Sequence, residues 1–325
     1  MNVTPGSCTA EMPYGFQPRF KGLYIATELI IAVLAITGNF LVCLAVTRNK
    51  KLRTVTNYFL VSLAVADILV GMVAIPCAVL TDLGRPRHNL PLCLVLLSIL
   101  MVLTQSSILS MLAVAAERYI AILLPFQYQR MMSPRNAQLA LLVTWGLAAI
   151  SGSVPLMDWQ RQPAGSDYCI FTCVVDMSYM VYFNFFCCLL VPLVAMFIIY
   201  GHIFLTVRRQ LRRIAVARGT AEDTRGAEPN VAKSNIRTGQ ELRKATFLFL
   251  VLFLFMVCWM PIHLINCLLL LCPQCEVPMS LTLAAILLSH VNSALNPILY
   301  AYRMRSFRHT LIRMWRGMWS VRSCQ

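Results

Sequence analysis

The sequence predicts an all-α membrane protein, a bundle of seven transmembrane helices followed by a short amphipathic cytoplasmic helix. Two observations predict this class. Only 13% of the residues are charged and 58% are hydrophobic, whereas soluble domains carry about 25% charged residues. The charges are also clustered, which leaves apolar runs long enough to cross a bilayer as a helix. The predicted spans are residues 23–47, 55–80, 92–123, 137–157, 178–206, 245–271 and 280–302.

Basic residues predict how these spans are oriented. When alternate connections are assigned to one side, most of the 28 Lys and Arg residues fall on the side that holds segments 207–241 and 303–325. The other side has few: Arg19, Lys21, Arg85, Arg87 and Arg161. The positive-inside rule therefore places residues 1–22 outside and the C-terminus in the cytoplasm. Because the charge follows the loops, a net charge of +15 does not indicate nucleic-acid binding.

The two cytoplasmic segments differ in composition. Residues 207–241 include a long stretch of small and charged residues, which predicts a flexible loop. In 303–325, Met304, Phe307 and Leu311 recur at helical spacing among basic residues. This pattern predicts a helix on the anionic lipid of the inner leaflet, with a disordered basic tail as the alternative. Cys324 follows it and is a palmitoylation candidate.

The exported side carries cysteines, which an oxidising exterior allows to pair. Cys93 opens the third span and Cys169 precedes the fifth, so a bridge between them would tie the outer loop across the mouth of the bundle. Cys272 and Cys275 could close a small ring between the sixth and seventh spans. A metal site there is poorly supported, because no second Cys/His pair stands nearby. Asn2 on the same side is a glycosylation acceptor in Asn-Val-Thr.

Landmarks of one family occur in order along the spans. They are Gly38-Asn39, LAVADILV around Asp67, Cys93, Glu117-Arg118-Tyr119, Trp145, Pro192, Tyr200, Cys258-Trp259-Met260-Pro261 and Asn296-Pro297-Ile298-Leu299-Tyr300. The whole chain thus resembles a rhodopsin-like (class A) G-protein-coupled receptor. The resemblance implies a plasma-membrane receptor, not an enzyme, whose cytoplasmic side binds a heterotrimeric G protein.

Four stretches resemble the adenosine receptors more closely. They are residues 104–107, 171–186 (FTCVVDMSYMVYFNFF), 258–266 (CWMPIHLIN) and 287–302. This resemblance implies adenosine as the ligand. Phe171 would stack on the adenine ring, and Asn266 would hydrogen-bond both its exocyclic amine and a ring nitrogen, as amides read adenine elsewhere.

The resemblance also implies how the ribose is held. Ser289 and His290 would bind its hydroxyl groups, with Thr104 near the far end of the sugar. Glu28 would fix the tautomer of His290, as carboxylates do for other histidines. The remaining expected pocket residues are His263, Asn184, Gln105, Met101, Met180, Ile262, Ile286 and Trp259.

Asp67 is the deepest acid in the predicted spans, and a charge inside a span is costly enough to suggest a function. The resemblance places four polar side chains around it: Ser107, Asn292, Ser293 and Asn296. Carboxylate, hydroxyl and amide oxygens suit a small hard cation. An allosteric sodium ion is therefore expected, with a hydrated polar network as the alternative.

The inner ends of the spans carry the residues that would switch the receptor. The resemblance implies that Arg118 is held by Glu117 and reached by Glu241, and that its release opens a cytoplasmic cleft. Prolines inside helices kink them, so an inner end can swing without unpacking the whole helix. The other expected switch residues are Tyr119, Tyr200, Asn296, Pro297 and Tyr300.

The chain departs from the adenosine-receptor pattern beside the stacking Phe171. Adenosine receptors usually have Glu at the next position, where this chain has Thr172. Losing one hydrogen bond costs about 0.5–1.5 kcal/mol, so weaker purine binding is expected rather than none. Cys173 is also unusual. It could pair with Cys8, or it could compete with Cys169 for the disulfide to Cys93.

Other functions are less well supported. A receptor for another purine or small ligand is the main alternative, although an amine receptor would need an acid at Leu100 and a retinal protein a lysine at His290. A transporter or channel lacks an internal repeat to support it. The run 247–255 (FLFLVLFLF) resembles subtypes that inhibit adenylyl cyclase, and 208–211 (RRQL) resembles stimulatory ones. Inhibition is slightly favoured.

Overall fold

The computed structural model describes residues 18–157, 169–221, 229–272, 274–275, 277–303 and 307–313, and most of these are helical. The second span is one continuous rod in which a π-helical turn, Val70–Ala74, joins two α-helices, and the fifth span likewise begins with a π-helical segment, Tyr179–Leu190. The α-helices are α1 (Pro18–Arg48), α2 (Val55–Leu69), α3 (Ile75–Asp82), α4 (Leu90–Leu123), α5 (Pro125–Met131), α6 (Pro134–Gly152), α7 (Phe171–Val174), α8 (Val191–Ala221), α9 (Pro229–Leu271) and α10 (Met279–Arg303).

Six segments of the described chain are long and apolar enough to cross a membrane. They are Gly22–Arg48, Asn57–Asp82, Leu90–Leu123, Tyr179–Gln210, Phe249–Leu271 and Met279–Tyr302. The remaining predicted span, 137–157, corresponds to α6, which is shorter and begins with the polar residues Arg135 and Asn136. Its Trp145 Nε1 donates to Ser62 Oγ at 3.0 Å, so α6 packs into the bundle beside α2.

Helices extend into the segment that was expected to be a flexible loop. α8 continues to Ala221 and α9 begins at Pro229, so the expectation of an irregular loop over 207–241 is wrong for most of its length. The physical reason lies in its composition, because Arg, Ala, Gln and Leu are strong helix formers. The rich supply of small and charged residues was a poor guide here.

The predicted helix after the last span is present over residues 307–313. Phe307 is fully buried in a cluster with Val42, Leu60 and Tyr300. Phe307 therefore anchors this helix to the bundle, and the expected contact with the inner leaflet stays a prediction. Met304, Asn2 and Cys324 lie outside the described residues.

Two prolines free carbonyl groups that side chains of other helices then satisfy. Pro297 has no N–H for the carbonyl of Ser293, and Asn39 Nδ2 donates to that oxygen at 2.9 Å. Pro192 has none for Cys188, and Gln105 Nε2 donates to its oxygen at 3.0 Å. Each of these carbonyl groups is thereby hydrogen-bonded to a neighbouring helix.

Glycines set the closest helix approaches. A Cβ built on Gly38 would lie 3.0 Å from the Pro297 ring, so α1 can approach α10 there only because the side chain is a hydrogen. Near the outer end of α6, a Cβ on Gly152 would lie 2.4 Å from the backbone nitrogen of Val102. These contacts fix α1 and α6 against the helices that carry the site.

Candidate ligand-binding site

A disulfide places Phe171 over the outer end of α4. Cys93 and Cys169 are bonded, with their Cα atoms 5.6 Å apart, and Phe171 follows two residues later. The ring packs in a cluster with Met101 and Met180, the two methionines expected to line the pocket. The second predicted disulfide, between Cys272 and Cys275, is also formed.

Cys173 has its own disulfide. Because Cys93 is bonded to Cys169, the suggestion that Cys173 competes for Cys93 is wrong. The other suggested partner, Cys8, lies outside the described residues.

One face of α9 presents three polar groups toward the centre of the outer half. Trp259, His263 and Asn266 are all buried. Trp259 Nε1 and His263 Nδ1 have no hydrogen-bond partner among the described residues. Native proteins rarely leave such groups unpaired. These two side chains therefore have unused capacity to bind a ligand or water, and the buried Asn266 amide lies on the same face of α9.

The same face is positioned by aromatic packing. The His263 ring stacks on Phe185 with 5.4 Å between ring centroids and lies 6.2 Å from the Trp259 ring. Leu270, one turn beyond Asn266, packs in the cluster that holds Phe171. Asn266 therefore lies one turn deeper in the bundle than the Phe171 cluster. Trp259 lies deeper still, in a cluster that also includes Ile262.

Asn184 on the fifth span and Gln105 on α4 each use part of their hydrogen-bonding capacity within the protein. Asn184 Nδ2 contacts Met101 Sδ at 3.6 Å, and a thioether sulfur is a weak acceptor. A ligand could compete for this amide at little cost. The Gln105 amide nitrogen is already bonded to the Cys188 carbonyl, so it is the Gln105 oxygen that remains for a ligand.

The expected sugar end of the site contains a hydrogen-bonded histidine–carboxylate pair between α1 and α10. His290 Nδ1 lies 2.9 and 2.8 Å from the two carboxylate oxygens of Glu28, and both side chains are buried. Because the carboxylate accepts at Nδ1, a neutral imidazole keeps Nε2 as an acceptor. A sugar hydroxyl is a suitable donor for that nitrogen.

Two hydroxyl groups near this end are also oriented by the backbone. Ser289 Oγ donates to Ile286 O at 2.7 Å, and Thr104 Oγ1 lies 3.0 Å from the carbonyls of Leu100 and Met101. Each oxygen therefore offers its lone pairs rather than its proton to a ligand. Ile286 itself is half-buried on the same helix as Ser289.

Below the expected sugar end, Asp67 is fully buried and satisfied by neutral groups. Oδ1 accepts from Ser107 Oγ at 3.0 Å and Oδ2 accepts from Asn296 Nδ2 at 2.8 Å. The Ser293 side chain also hydrogen-bonds to it. Asn292 is buried on the same helix as Ser293 and Asn296.

The surroundings of Asp67 fit a small cation. Asn39, which donates to the Ser293 carbonyl, has its own Oδ1 buried without a partner in the described chain. Carboxylate, hydroxyl and amide oxygens are ligands that hard cations take. The structure brings Ser107, Ser293 and Asn296 to Asp67, and this set could accept sodium.

At the end of the bundle that is expected to face the cytoplasm, Arg118 is held by its neighbour Glu117. Its guanidinium lies 2.6 and 2.9 Å from the two Glu117 oxygens, a bidentate arrangement. Tyr128 OH donates to the same carboxylate at 2.9 Å. The Glu241 side chain, like that of Thr172, lies outside the described residues, so their expected roles stay predictions.

The three switch tyrosines lie on different helices. Tyr119 OH lies 3.1 Å from His202 Nδ1, which links α4 to α8. Tyr200 packs in the core cluster that contains Met111. Tyr300 packs in the cluster that contains Phe307.

Sequence reasoning missed some of these partners. Nothing in the local sequence connects Tyr128 with Glu117, because the bond depends on how α5 turns back toward α4. It also missed a bond between Tyr24 and Asp82, which are 58 positions apart. An acid in the last turn of an apolar span was the available signal for Asp82.

Comparison with known proteins agrees with this arrangement. Residues 38–300 match the family described as 7 transmembrane receptor (rhodopsin family). This match and the apolar membrane-length helices of the described chain show that the protein is a multi-pass membrane receptor of the rhodopsin family. The predicted seven-transmembrane fold class is confirmed.

Individual relatives show which branch of this family the chain belongs to. Adenosine receptor A2a from Homo sapiens is 43% identical over 313 residues, covering 91% of this chain and 73% of the relative. The A2a receptor of Equus caballus is 43% identical over 311 residues (91% and 72%), and adenosine receptor A2b of Gallus gallus is 42% identical over 311 residues (89% and 87%). The chain belongs to the adenosine receptors. The expectation that it is a receptor and not an enzyme is confirmed.

Proposed function

We propose that this receptor binds adenosine in the outer half of the bundle and thereby changes adenylyl cyclase activity through a heterotrimeric G protein. The single observation that carries the ligand assignment is the buried Asn266 amide, which shares one face of α9 with the unpartnered Trp259 Nε1 and His263 Nδ1 in the described chain. An amide offers one donor and one acceptor side by side, which matches the edge of adenine. The relatives' name, adenosine receptor, points to the same ligand.

The remaining groups account for the rest of the nucleoside. Phe171 lies where it could stack on the base, and Trp259 closes the deep end. Ser289, Thr104 and His290 offer acceptors to the ribose hydroxyls. The base is then recognised between α4, α7 and α9, and the sugar is recognised by α10 and α4.

Signalling requires that adenosine bind one conformation better than another. A ligand with equal affinity for both conformations shifts nothing, so the agonist must favour the state in which the inner ends separate. The Glu117–Arg118 pair would stabilise the closed state. The side-chain hydrogen bonds to the backbone carbonyls near Pro192 and Pro297 would stabilise it too. Ligand contacts on α10 and at Trp259 would act on the helices that carry the inner switch.

The proposed topology places residues 1–22 outside the cell and 303–325 in the cytoplasm of a plasma-membrane receptor. The basic inner loops and tail support it, since they would face anionic lipid and the G protein. Segment 208–211, after the fifth span, resembles stimulatory subtypes, and segment 247–255, at the start of the sixth span, resembles inhibitory ones. Inhibition remains slightly favoured by the sequence, and the sign of the cyclic AMP response decides it.

Competition binding tests the ligand assignment. Membranes from cells that express the chain are incubated with a radiolabelled adenosine analogue, and unlabelled nucleosides compete. Adenosine is expected to displace the label, whereas guanosine, which lacks the exocyclic amine at that edge, is expected to fail. Equal displacement by the two nucleosides would show that Asn266 does not read adenine.

We also propose that sodium binds at Asp67 and opposes the agonist. The residues that would hold it are Asp67, Ser107, Ser293, Asn292 and Asn296, and the ion would supply positive charge to a buried carboxylate. Sodium chloride is expected to lower agonist affinity about five- to tenfold, a usual size for coupling between sites. Asp67→Asn is expected to remove this effect while the receptor still binds the ligand, as measured by agonist competition curves.

The control for the sodium experiment is choline chloride at the same ionic strength. Choline is too large for a cage of short side chains, so it should leave agonist affinity unchanged. Equal effects of the two salts, or a sodium effect that survives in Asp67→Asn, would contradict the ion site.

A further inference from the structure

A carboxylate stands at the unfavourable end of α3. Asp82 is the last residue of that helix, which is capped at Leu83. Unsatisfied carbonyl groups make a helix C-terminus partly negative, so an acid there is destabilising unless something compensates. Asp82 lies outside the set of residues that hold the base, the sugar or the ion, and its position calls for a separate explanation.

Tyr24 of α1 supplies the compensation. Its hydroxyl group donates to Asp82 Oδ2 at 2.5 Å, and the tyrosine is buried. A short O–H···O⁻ bond is among the stronger protein hydrogen bonds because the acceptor is charged. This bond joins the outer ends of α1 and α3.

The Tyr24–Asp82 bond lies next to the Glu28–His290 pair at the sugar end of the site. Tyr24 lies four residues before Glu28, so the two side chains share a face of α1. Glu28 in turn holds His290 Nδ1 through both carboxylate oxygens. Asp82 also interacts electrostatically with Glu28 and His290. One run of polar groups therefore crosses from α3 through α1 to α10.

The distances along α1 show why the outer bond matters for Glu28. At 1.5 Å per residue, Glu28 lies about 15 Å outward of Gly38, where α1 packs against Pro297. Tyr24 lies only about 6 Å further outward. On the inner side of Glu28, Ile31 and Ala32 pack against the π-helical segment, where a Cβ built on Gly71 would lie 3.0 Å from the Ala32 carbonyl oxygen. The bond to Asp82 is the corresponding anchor on the outer side of Glu28, the group that orients His290.

We propose that Asp82 and Tyr24 are positioning residues for sugar recognition: they hold the outer turn of α1 so that Glu28 keeps His290 Nε2 directed at the ribose. This inference rests on the proposed function, because it concerns how adenosine is bound. It assigns neither residue a contact with the ligand. Their effect reaches the ligand through His290 alone.

The test compares two ligands across a double-mutant cycle. One ligand is adenosine, and the other is a purine antagonist that has no sugar. Asp82→Ala is expected to lower adenosine affinity about five- to tenfold, less than the full loss of a hydrogen bond to a charged group, because its effect on the ligand is indirect. The affinity for the sugarless purine should stay unchanged, since only the sugar meets His290.

Conservative variants separate positioning from general stability. Asp82→Asn keeps an oxygen that accepts from Tyr24, so it should retain most of the adenosine affinity. Tyr24→Phe should behave like Asp82→Ala, and the two together should cost no more than either alone. Tyr182→Phe is the matched control, because Tyr182 is 60% exposed on the fifth span. Should Asp82→Ala fail to reach the cell surface, Tyr24→Phe carries the comparison.

The cycle with His290→Ala decides the inference. In that background, Asp82→Ala should have no further effect on adenosine affinity. An undiminished effect there, or equal losses for both ligands, would overturn the positioning role and leave the proposed function standing. Failure of the wild-type receptor to bind adenosine would overturn the proposed function, and this inference with it.

Discussion

Asn266→Ala is expected to lower adenosine affinity about 100-fold or more, with little change in the amount of receptor at the cell surface. The variant removes both hydrogen bonds to the adenine edge, and the ligand's amine and ring nitrogen then lose water without gaining a partner. The folded receptor is expected to lose little, because alanine is a better helix former than asparagine within α9. Saturation binding with a radiolabelled agonist measures the affinity, and an antibody to an extracellular tag measures surface expression.

Leu268→Ala is the matched control on the same helix. Leu268 is 41% exposed and faces away from the site. It removes more apolar volume than Asn266→Ala, so it tests whether any truncation in this turn disturbs binding. Unchanged agonist affinity in Asn266→Ala, with both proteins at the surface, would contradict the placement of the base.

Gly152→Ala should have the largest effect on stability. The added methyl group would lie 2.4 and 2.6 Å from the backbone nitrogen and Cα of Val102. Backbone atoms inside a helix cannot rotate away as a side chain can, so α6 must move from α4. Overpacking of this kind costs up to about 3 kcal/mol. We expect a Tm lowered by about 5 °C or more for the solubilised receptor.

Gly146→Ala is the control for that experiment. It lies on the same helix, and a Cβ built there meets nothing within 4 Å. Ala is also the better helix former, so this variant should be neutral or slightly stabilising. If both variants lower the Tm equally, the loss reflects helix propensity or insertion rather than the close approach to Val102.

Much of the architecture could be predicted because lipid constrains the sequence so strongly. Every backbone polar group in a bilayer must be satisfied within a helix, so long apolar runs have few alternatives. The positions of the polar residues within those runs were informative for the same reason. The resemblance to the adenosine receptors implied that Glu28 orients His290, and the two side chains, far apart in the sequence, do lie 2.8 Å apart.

Where the sequence was less informative, the outcome depends on packing between helices. Gln105 was expected to face the ligand, yet its amide nitrogen caps the carbonyl that Pro192 leaves free. Tyr24 and Asp82 show no local pattern that links them. The cytoplasmic loop was misjudged because small and charged residues suit both a flexible chain and an exposed helix. In each case the sequence alone does not tell which two helices face each other, or at what depth in the bundle their side chains meet.

The most direct test is the cyclic AMP level in cells that express the receptor, measured with and without adenosine and after stimulation of adenylyl cyclase. Our account predicts an adenosine-dependent change in wild-type cells, a fall for inhibitory coupling or a rise for stimulatory coupling. The same dose should have no effect in cells expressing Asn266→Ala at equal surface density. An equal change in both cell lines, or silence in the wild type, would contradict the central claim that adenosine bound beside Asn266 controls the G protein.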